Sequence, residues 1–392
     1  MARVLIIVEN LPVPFDRRVW MEATTLRAAG HEVSVICPTA KGYEAPREVL
    51  DGIHIYRHPL PTEANSAAGY LREYAAALWA EWRLARCVWR ERRFDVIHAC
   101  NPPDLIFLVG AWFKLLHGTK FVFDQHDLNP ELYESKFGQR DVFYFALRLA
   151  ERLTFALADT VISTNESYRE VALQRGNKKP QQVYVVRSAP DLAKFRPVPP
   201  EAAFRRGRSY LVGYLGVMGP QDGVDHLLEA ARELVVNRRR RDIQFCLIGN
   251  GPMFERLQQM AGELGVAEFV EFTGRIPDAE MIARICSCDL CVNPDPFNSL
   301  NNVSTMNKIM EYMALGRPVV QYDLKEGRSS AGEASWYAEP NNPVDLANKI
   351  EQLLADEAAR KRMGALGRKR MEEALAWHHQ APRLLAAYAA TV

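Results

Sequence analysis

The chain has 392 residues, 48% of them hydrophobic and 25% charged, which is too long for one ordinary core and fits two soluble globular domains. With 49 basic residues against 48 acidic ones the net charge is +1, which excludes nucleic-acid binding driven by bulk charge. No run of about 18 apolar residues occurs, so no segment is expected to span a membrane. The odd count of 7 cysteines, most of them inside apolar runs, fits the buried reduced thiols of a cytoplasmic protein.

The opening MARVLIIVENLPVPF has only Val4 to Val8 as an apolar run, too short for a cleavable signal, and reads as a first buried strand. VSVIC, IHIY, DVIHAC, FVFD, VIST and VYVV follow, separated by helical patterns. Continuous β-branched runs suit strands buried on both faces, so the alternation predicts an α/β fold with a mainly parallel sheet. Between IHIY and DVIHAC, Leu71 to Arg93 carries Trp79, Trp82 and Trp89 among arginines. This helix suits a crossover packing its tryptophans on the sheet, with a membrane-surface face as the alternative.

The rhythm breaks over 190–208, which is rich in proline and charge, and residues 196–208 are the expected linker. The domain boundaries expected are 1–195 and 209–376, with a last helix over 377–392 packing back on the first domain. Beyond the linker the alternation restarts with YLVGYLG, IQFCLIG, FVEFTG, DLCVNP and PVVQY. Arg238–Arg241 reads as a solvated turn, with a basic patch near anionic lipid as the alternative. Cys286, Cys288 and Cys291 lack a second metal-ligating pair at zinc-site spacing, so core packing is the expected role.

Four segments carry chemistry. GYLGVMGPQDG holds Gly216, Gly219 and Gly223 between a strand and a helix, and LIGNGP holds Gly249 and Gly251 in the same setting. Glycines let a ligand approach the backbone, and a helix N-terminus favours anions, though a tight turn explains the pattern equally well. NNVSTMNKIMEYMALGRPVV predicts a helix over Val303 to Leu315, capped by Asn302 or Ser304. Its polar face carries Ser304, Asn307, Lys308 and Glu311. A carboxylate there can hold a ribose diol and an ammonium can meet phosphate, while the same spacing suits a solvated ion pair. In FDQHDLNPEL, His126 and Asp127 follow the carboxyl end of a strand, the edge where open α/β sheets bind ligands.

Taken in order, these motifs resemble the retaining family-4 GT-B glycosyltransferases over nearly the whole chain. FDVIHACNPPD, DTVISTNESYRE, VVRSAPDLAKFRP, LIGNGP, FTGRIPDAEM, EYMALGRPVV and AEPNNPVDLANKI are similar to successive landmarks of that family. The resemblance implies two Rossmann-like domains with a nucleotide-sugar cleft between them, the donor on the C-terminal domain and the acceptor on the N-terminal one. It implies that Glu311, as second acid of a Glu-x7-Glu motif, holds the donor ribose. Two positions depart from the pattern: the first acid falls at Val303, and the diphosphate-binding Arg and Lys of the glycine loop fall at Val217 and Asp222.

Lys308 is therefore the expected diphosphate cation, ahead of Arg275 and Arg328. The expected catalytic residues are His126, Lys308 and Glu311. The donor side is expected to use Gly216, Gly219, Gly249, Gly251, Arg275, Asn302, Ser304, Asn307, Lys308 and Glu311, and the acceptor side Phe15, Asp16 and Arg17. No DxD-type dyad appears at a strand end, so neither metal nor cofactor is expected, the nucleotide sugar being a substrate. The expected activity is retaining transfer from a UDP-sugar, with GDP-sugar second, to a sugar or lipid-linked sugar acceptor in cell-surface polysaccharide or glycolipid synthesis. The expected place is the cytoplasm, with peripheral contact at the inner face of the cytoplasmic membrane left open. A sugar-nucleotide epimerase of the same fold, and a non-catalytic sugar-nucleotide binder, are the alternatives.

Overall fold

The computed structural model describes residues 1–59 and 67–392, and the side chains of all of these except residues 67–74. The chain divides into two compact units, one of Met1–Ser188 with His378–Val392, the other of Ala189–Trp377.

The first unit is built on β1 (Arg3–Val8), β2 (Glu32–Pro38), β3 (Arg47–Leu50), β4 (Ile53–His58), β5 (Val96–Cys100), β6 (Lys120–Gln125), β7 (Thr160–Ser163) and β8 (Val183–Val185), in the order β3-β4-β2-β1-β5-β6-β7-β8. All neighbours are parallel except β3, a short antiparallel edge strand that the sequence reading missed. Its four residues alternate between exposed and half-buried, so they lack the apolar run that marks the others. Leu5, Ile6 and Ile7 are fully buried, as strands covered by helices on both faces require. The helix Ala67–Arg92 packs Trp82 and Trp89 on the core around Phe113 and Phe121, while Trp79 stays exposed.

The second unit holds β9 (Tyr210–Leu215), β10 (Ile243–Ile248), β11 (Val270–Gly274), β12 (Leu290–Asn293), β13 (Val319–Tyr322) and β14 (Ser335–Ala338), all parallel, in the order β11-β10-β9-β12-β13-β14. Val212 and Tyr214 enter the core on one face and Leu211 the core on the other, following the two-residue period of a strand. Cys246, Cys286, Cys288 and Cys291 are free thiols buried in the second of these cores. Among the parallel strands of each sheet the order reverses once, at β1/β5 and at β9/β12. The carboxyl ends flanking such a reversal leave the crevice where ligands of open α/β sheets bind.

Two expectations change. Residues 196–208 are not a free linker: Glu201 N–H donates to Ser287 Oγ at 2.8 Å and Arg205 pairs with Asp289 at 2.6 Å, fastening them to the second unit. Arg238 and Arg240 do not form a solvated turn, because both pair with Glu351, at 2.8 and 3.0 Å. The last helix runs from Trp377 to Thr391 with Pro382 inside it. It belongs to the first unit, where the Tyr388 hydroxyl lies 2.8 Å from His98 Nδ1 and Thr391 Oγ1 lies 2.8 Å from Thr160 Oγ1.

Candidate functional site

At the β9/β12 reversal of the second unit, β9 runs into Gly216, β10 into Gly249, and β12 into Pro294 and Asp295. The two glycine turns grip each other. Met218 N–H donates to the Asn250 carbonyl at 3.1 Å, and Met253 N–H to the Met218 carbonyl at 2.9 Å. Gly249 has φ +134°, and a Cβ added there would lie 1.8 Å from the Gly216 carbonyl oxygen. Gly223 has φ +62° and would meet the Pro294 carbonyl oxygen at 2.1 Å. These glycines are therefore demanded by backbone packing at the switch point, before any ligand is considered.

Lys308 is the charged centre of this region. Only 8% of its side chain is exposed, its Nζ donates to Asp295 Oδ1 at 2.8 Å, Asp222 Oδ1 lies 3.6 Å away, and the Tyr214 ring centre 5.1 Å away. Burial works against the ammonium, but Asp295, Tyr214 and Asp222 outweigh it and hold the pKa above the usual lysine range. Burial pushes the Asp295 carboxyl up to about 6 although Lys308 pulls the other way. Asp222 also accepts from Gly219 N–H at 3.0 Å through Oδ2. One carboxylate thus touches both an amide and an ammonium of the expected diphosphate site.

The helix carrying Lys308 is shorter than its periodicity suggests. It spans Asn307–Ala314, preceded by a 3₁₀ turn at Asn301–Val303 and by extended backbone at Ser304 and Met306. Asn298 Oδ1 accepts from the amides of Leu300 and Asn301, and Asn301 Nδ2 donates to the carbonyls of Gln221 and Pro296. Such side-chain bonds to the backbone compete with helix formation. Ser304 and Asn302 consequently do not cap the helix: Ser304 Oγ donates to the Leu300 carbonyl at 2.9 Å and Asn302 Oδ1 accepts from Lys325 N–H at 3.0 Å. Asn307 is exposed in the helix's first turn and Glu311 is half-buried one turn on. Lys308 is not on a solvated face: its ammonium turns to Asp295 and Asp222. Arg275 is exposed just past β11. Arg328 pairs with Asp323 at 2.6 Å and lies 4.1 Å from the centre of the Tyr337 ring, by the edge strand β14, away from the β9/β12 reversal.

In the first unit the β1/β5 reversal is lined by Arg18, Asp124 and His126. Asp16, expected on the acceptor side, caps the helix Arg17–Ala28 by accepting from Val19 N–H, which places Arg18 on its first turn facing inward. Arg18 Nη2 lies 2.7 Å from Asp124 Oδ1 and its Nε 3.1 Å from Oδ2, a bidentate pair wholly out of water. His126 Nε2 lies 2.6 Å from Asp124 Oδ2, and His98 Nε2 3.4 Å from the same oxygen. Burial would raise the Asp124 pKa, but Arg18 and His126 hold it well below the usual range. Burial pushes Glu22, 3.1 Å from Arg18, well above the usual range. Phe15 lies 6.4 Å from the Tyr43 ring, and Arg17 is exposed beside it.

Glu22, Cys100, Asp124 and His126 bring potential ligand atoms within 4.8 Å of one another. The Arg18 guanidinium already supplies the cation among them, and a raised acid and a raised thiol are poor metal ligands. Arg18, Asp124, Tyr388 and Asp295 were not singled out from the sequence. The available signals were acids closing apolar strands, in FVFD and in CVNPD, where a charge at the sheet edge needs a partner.

Residues 209–356 match the family model described as Glycosyl transferases group 1, and residues 16–187 match the Glycosyl transferase 4-like domain. The chain belongs to the group 1 glycosyltransferases. It is 24% identical over 348 residues to the 2-deoxystreptamine glucosyltransferase of Streptomyces kanamyceticus, covering 86% of this chain and 88% of the relative. Sucrose-phosphate synthase from Thermosynechococcus elongatus superposes with a TM-score of 0.81 at 19% identity, over 99% of this chain and 98% of that one. HepE of Anabaena, solved in complex with UDP-glucose, superposes with a TM-score of 0.72 at 16% identity, over 99% of this chain and 100% of that one. This group 1 glycosyltransferase is accordingly a glycosyl-transferring enzyme of glycan biosynthesis with the GT-B fold of two parallel-sheet domains.

Proposed function

We propose that this glycosyltransferase takes a UDP-sugar, with GDP-sugar second, and transfers the sugar with retention to a hydroxyl of a cell-surface glycan or glycolipid acceptor, without a metal. The observation that carries the reading is the buried, charged Lys308 beside the glycine turns at the β9/β12 reversal. Lys308 and the Gly219 amide stabilise the diphosphate as it departs. Glu311 accepts both hydroxyls of the donor ribose. Asn307, Gly216, Gly249, Gly251 and Arg275 complete the donor surface, with Asn302 and Ser304 holding the preceding turn. In the first unit, Phe15, Asp16 and Arg17 face the acceptor and His126, oriented by Asp124, supports the transfer. The anomeric carbon–phosphate oxygen bond breaks as the acceptor oxygen attacks the same face, and its proton passes to the leaving phosphate.

Binding of UDP-, GDP- and ADP-sugars by thermal shift, followed by turnover with the ligand that stabilises most, tests this reading. A protein stabilised by none of them would lack the proposed donor site. Glu311→Gln is expected to weaken donor binding by about 1–3 kcal/mol, because a carboxylate accepting two hydroxyls is replaced by a neutral amide. Unchanged donor affinity, measured by calorimetry, would remove Glu311 from the ribose.

A pH dependence follows from Asp295. Its folded-state value of about 6 lies above the free value of 3.8, so the native state holds this proton more tightly than the unfolded chain. Below about 6 the acid is neutral, and Lys308 loses one of its two counter-charges. A UDP-sugar, whose phosphodiesters keep their charge, is expected to bind roughly three- to tenfold tighter at about pH 5.5 than at about pH 8. Asp295→Asn should flatten that difference. A pH-independent wild-type affinity would mean that Lys308 does not meet the diphosphate.

A further inference from the structure

Exposed large apolar side chains in the second unit are scattered singly, at Val198, Val217, Val236, Phe297 and Val344. Many of those in the first unit lie on three neighbouring helices. On the helix Val142–Leu157, Val142 is 81% exposed, Phe145 64% and Leu149 58%, with Leu153 also exposed. At 100° per residue these four share one stripe. The helix is therefore apolar outward. Its inward face carries Glu151, which pairs with Arg175, and Thr154, whose hydroxyl donates to the Asp104 carbonyl at 3.1 Å. No exposed acid interrupts the stripe, and Arg148 and Arg152 border it.

The surface continues sideways. The helix Phe107–His117 packs against this one and exposes Leu108, Leu115 and Leu116. Beyond it the helix Ala67–Arg92 packs in turn, with Trp82 and Trp112 ring centres 5.8 Å apart. Its outer stripe is exposed Trp79 followed by Arg83, Arg86 and Arg90, at the spacing of one helix face. Trp79 stacks on Trp82 with ring centres 5.0 Å apart and the Arg86 guanidinium lies 4.6 Å from the same ring, while the other side chains point away from the core. Contiguous apolar patches of this kind on a soluble domain mark a docking surface.

We propose that the face formed by these three helices of the first unit docks on an anionic lipid surface, with the Val142–Leu157 helix lying in the interface. Charge chooses this occupant. An apolar stripe bordered by arginines, beside a basic row led by a tryptophan, matches acyl chains below and anionic headgroups around them. A second copy of the chain, paired by two-fold symmetry, would set like-charged borders against each other. The sequence reading placed a membrane-facing alternative on the tryptophan helix and another on Arg238–Arg241. The structure moves the apolar contact to the neighbours of the tryptophan helix and leaves that helix the basic border.

Co-sedimentation with phosphatidylcholine vesicles, with and without phosphatidylglycerol, tests the assignment. The wild-type chain is expected to partition onto the phosphatidylglycerol vesicles and much less onto phosphatidylcholine alone. Phe145→Glu/Leu149→Glu is expected to lose about tenfold or more in partition, with the urea midpoint unchanged because both side chains are exposed. The milder Val142→Ser/Leu149→Ser should follow the same course, and Arg83→Glu/Arg90→Glu should remove the preference for phosphatidylglycerol. Wild-type protein that stays in solution overturns the proposal, as do glutamate variants that still sediment. So does a wild-type dimer in light scattering that these variants abolish, which would make a second copy the occupant.

Discussion

Lys308→Ala is expected to lower kcat/KM roughly 10²–10³-fold, the usual cost of removing one group that stabilises charge on a leaving oxygen. The same change leaves the Asp295 carboxyl, buried and pushed up to about 6, without its cation. A stability loss of about 3–5 kcal/mol should accompany it, because breaking a buried pair strands the remaining charge. The two effects separate in the double variant Lys308→Ala/Asp295→Asn. Asp222 can rehydrate, being partly exposed, so the double variant should recover most of the lost stability in a urea titration and none of the turnover. If turnover returns with stability, Lys308 only holds the fold and the diphosphate cation lies elsewhere.

Arg18→Met is the second large change. Asp124 is fully buried, and Arg18 is the first of the groups that hold it ionised. Without Arg18 a loss of about 3–5 kcal/mol at neutral pH is expected. The sign against pH follows from the depressed native value. Asp124 contributes stability above its unfolded value of 3.8, and that contribution disappears as pH falls through the lower native one. In the variant, burial raises Asp124 unopposed by Arg18, so protonation relieves the stranded charge. The deficit relative to wild type should therefore shrink as pH is lowered from about 7 to about 5. A deficit that stays constant in urea midpoints over that interval would mean Arg18 contributes packing rather than charge. Activity should fall as well, since His126 is oriented through the same carboxylate.

The two clusters resemble each other physically. In both, a basic side chain from the helix region following a strand meets an acid near a strand's carboxyl end beside the reversal of strand order, Asp124 on β6 for Arg18 and Asp295 just past β12, the strand that precedes its own helix, for Lys308. In each, the neighbouring acids outweigh burial and keep the basic group charged in a site poor in water. The first cluster reaches the chain's end through His98 and Tyr388. Nothing local announces that bond, since its partners are 290 positions apart.

What the sequence determined by itself was whatever depends on neighbours along the chain. Runs such as VLIIV and IQFCLIG suit strands covered on both faces, and the glycines at 216 and 249 mark turns between strand and helix. The order of motifs, with Glu311 and Lys308 a turn apart, was equally legible. The tertiary structure alone decided which charges meet. Lys308 looks like the partner of Glu311 at helical spacing, yet it turns inward to Asp295 and Asp222, because β9 and β12 lie side by side and bring their loops together. The helix expected from Val303 starts only at Asn307, because Asn298 and Asn301 capture the backbone first. The apolar side of the Val142–Leu157 helix faces outward. Periodicity shows that a helix has two faces, but only its packing partners decide which one is buried.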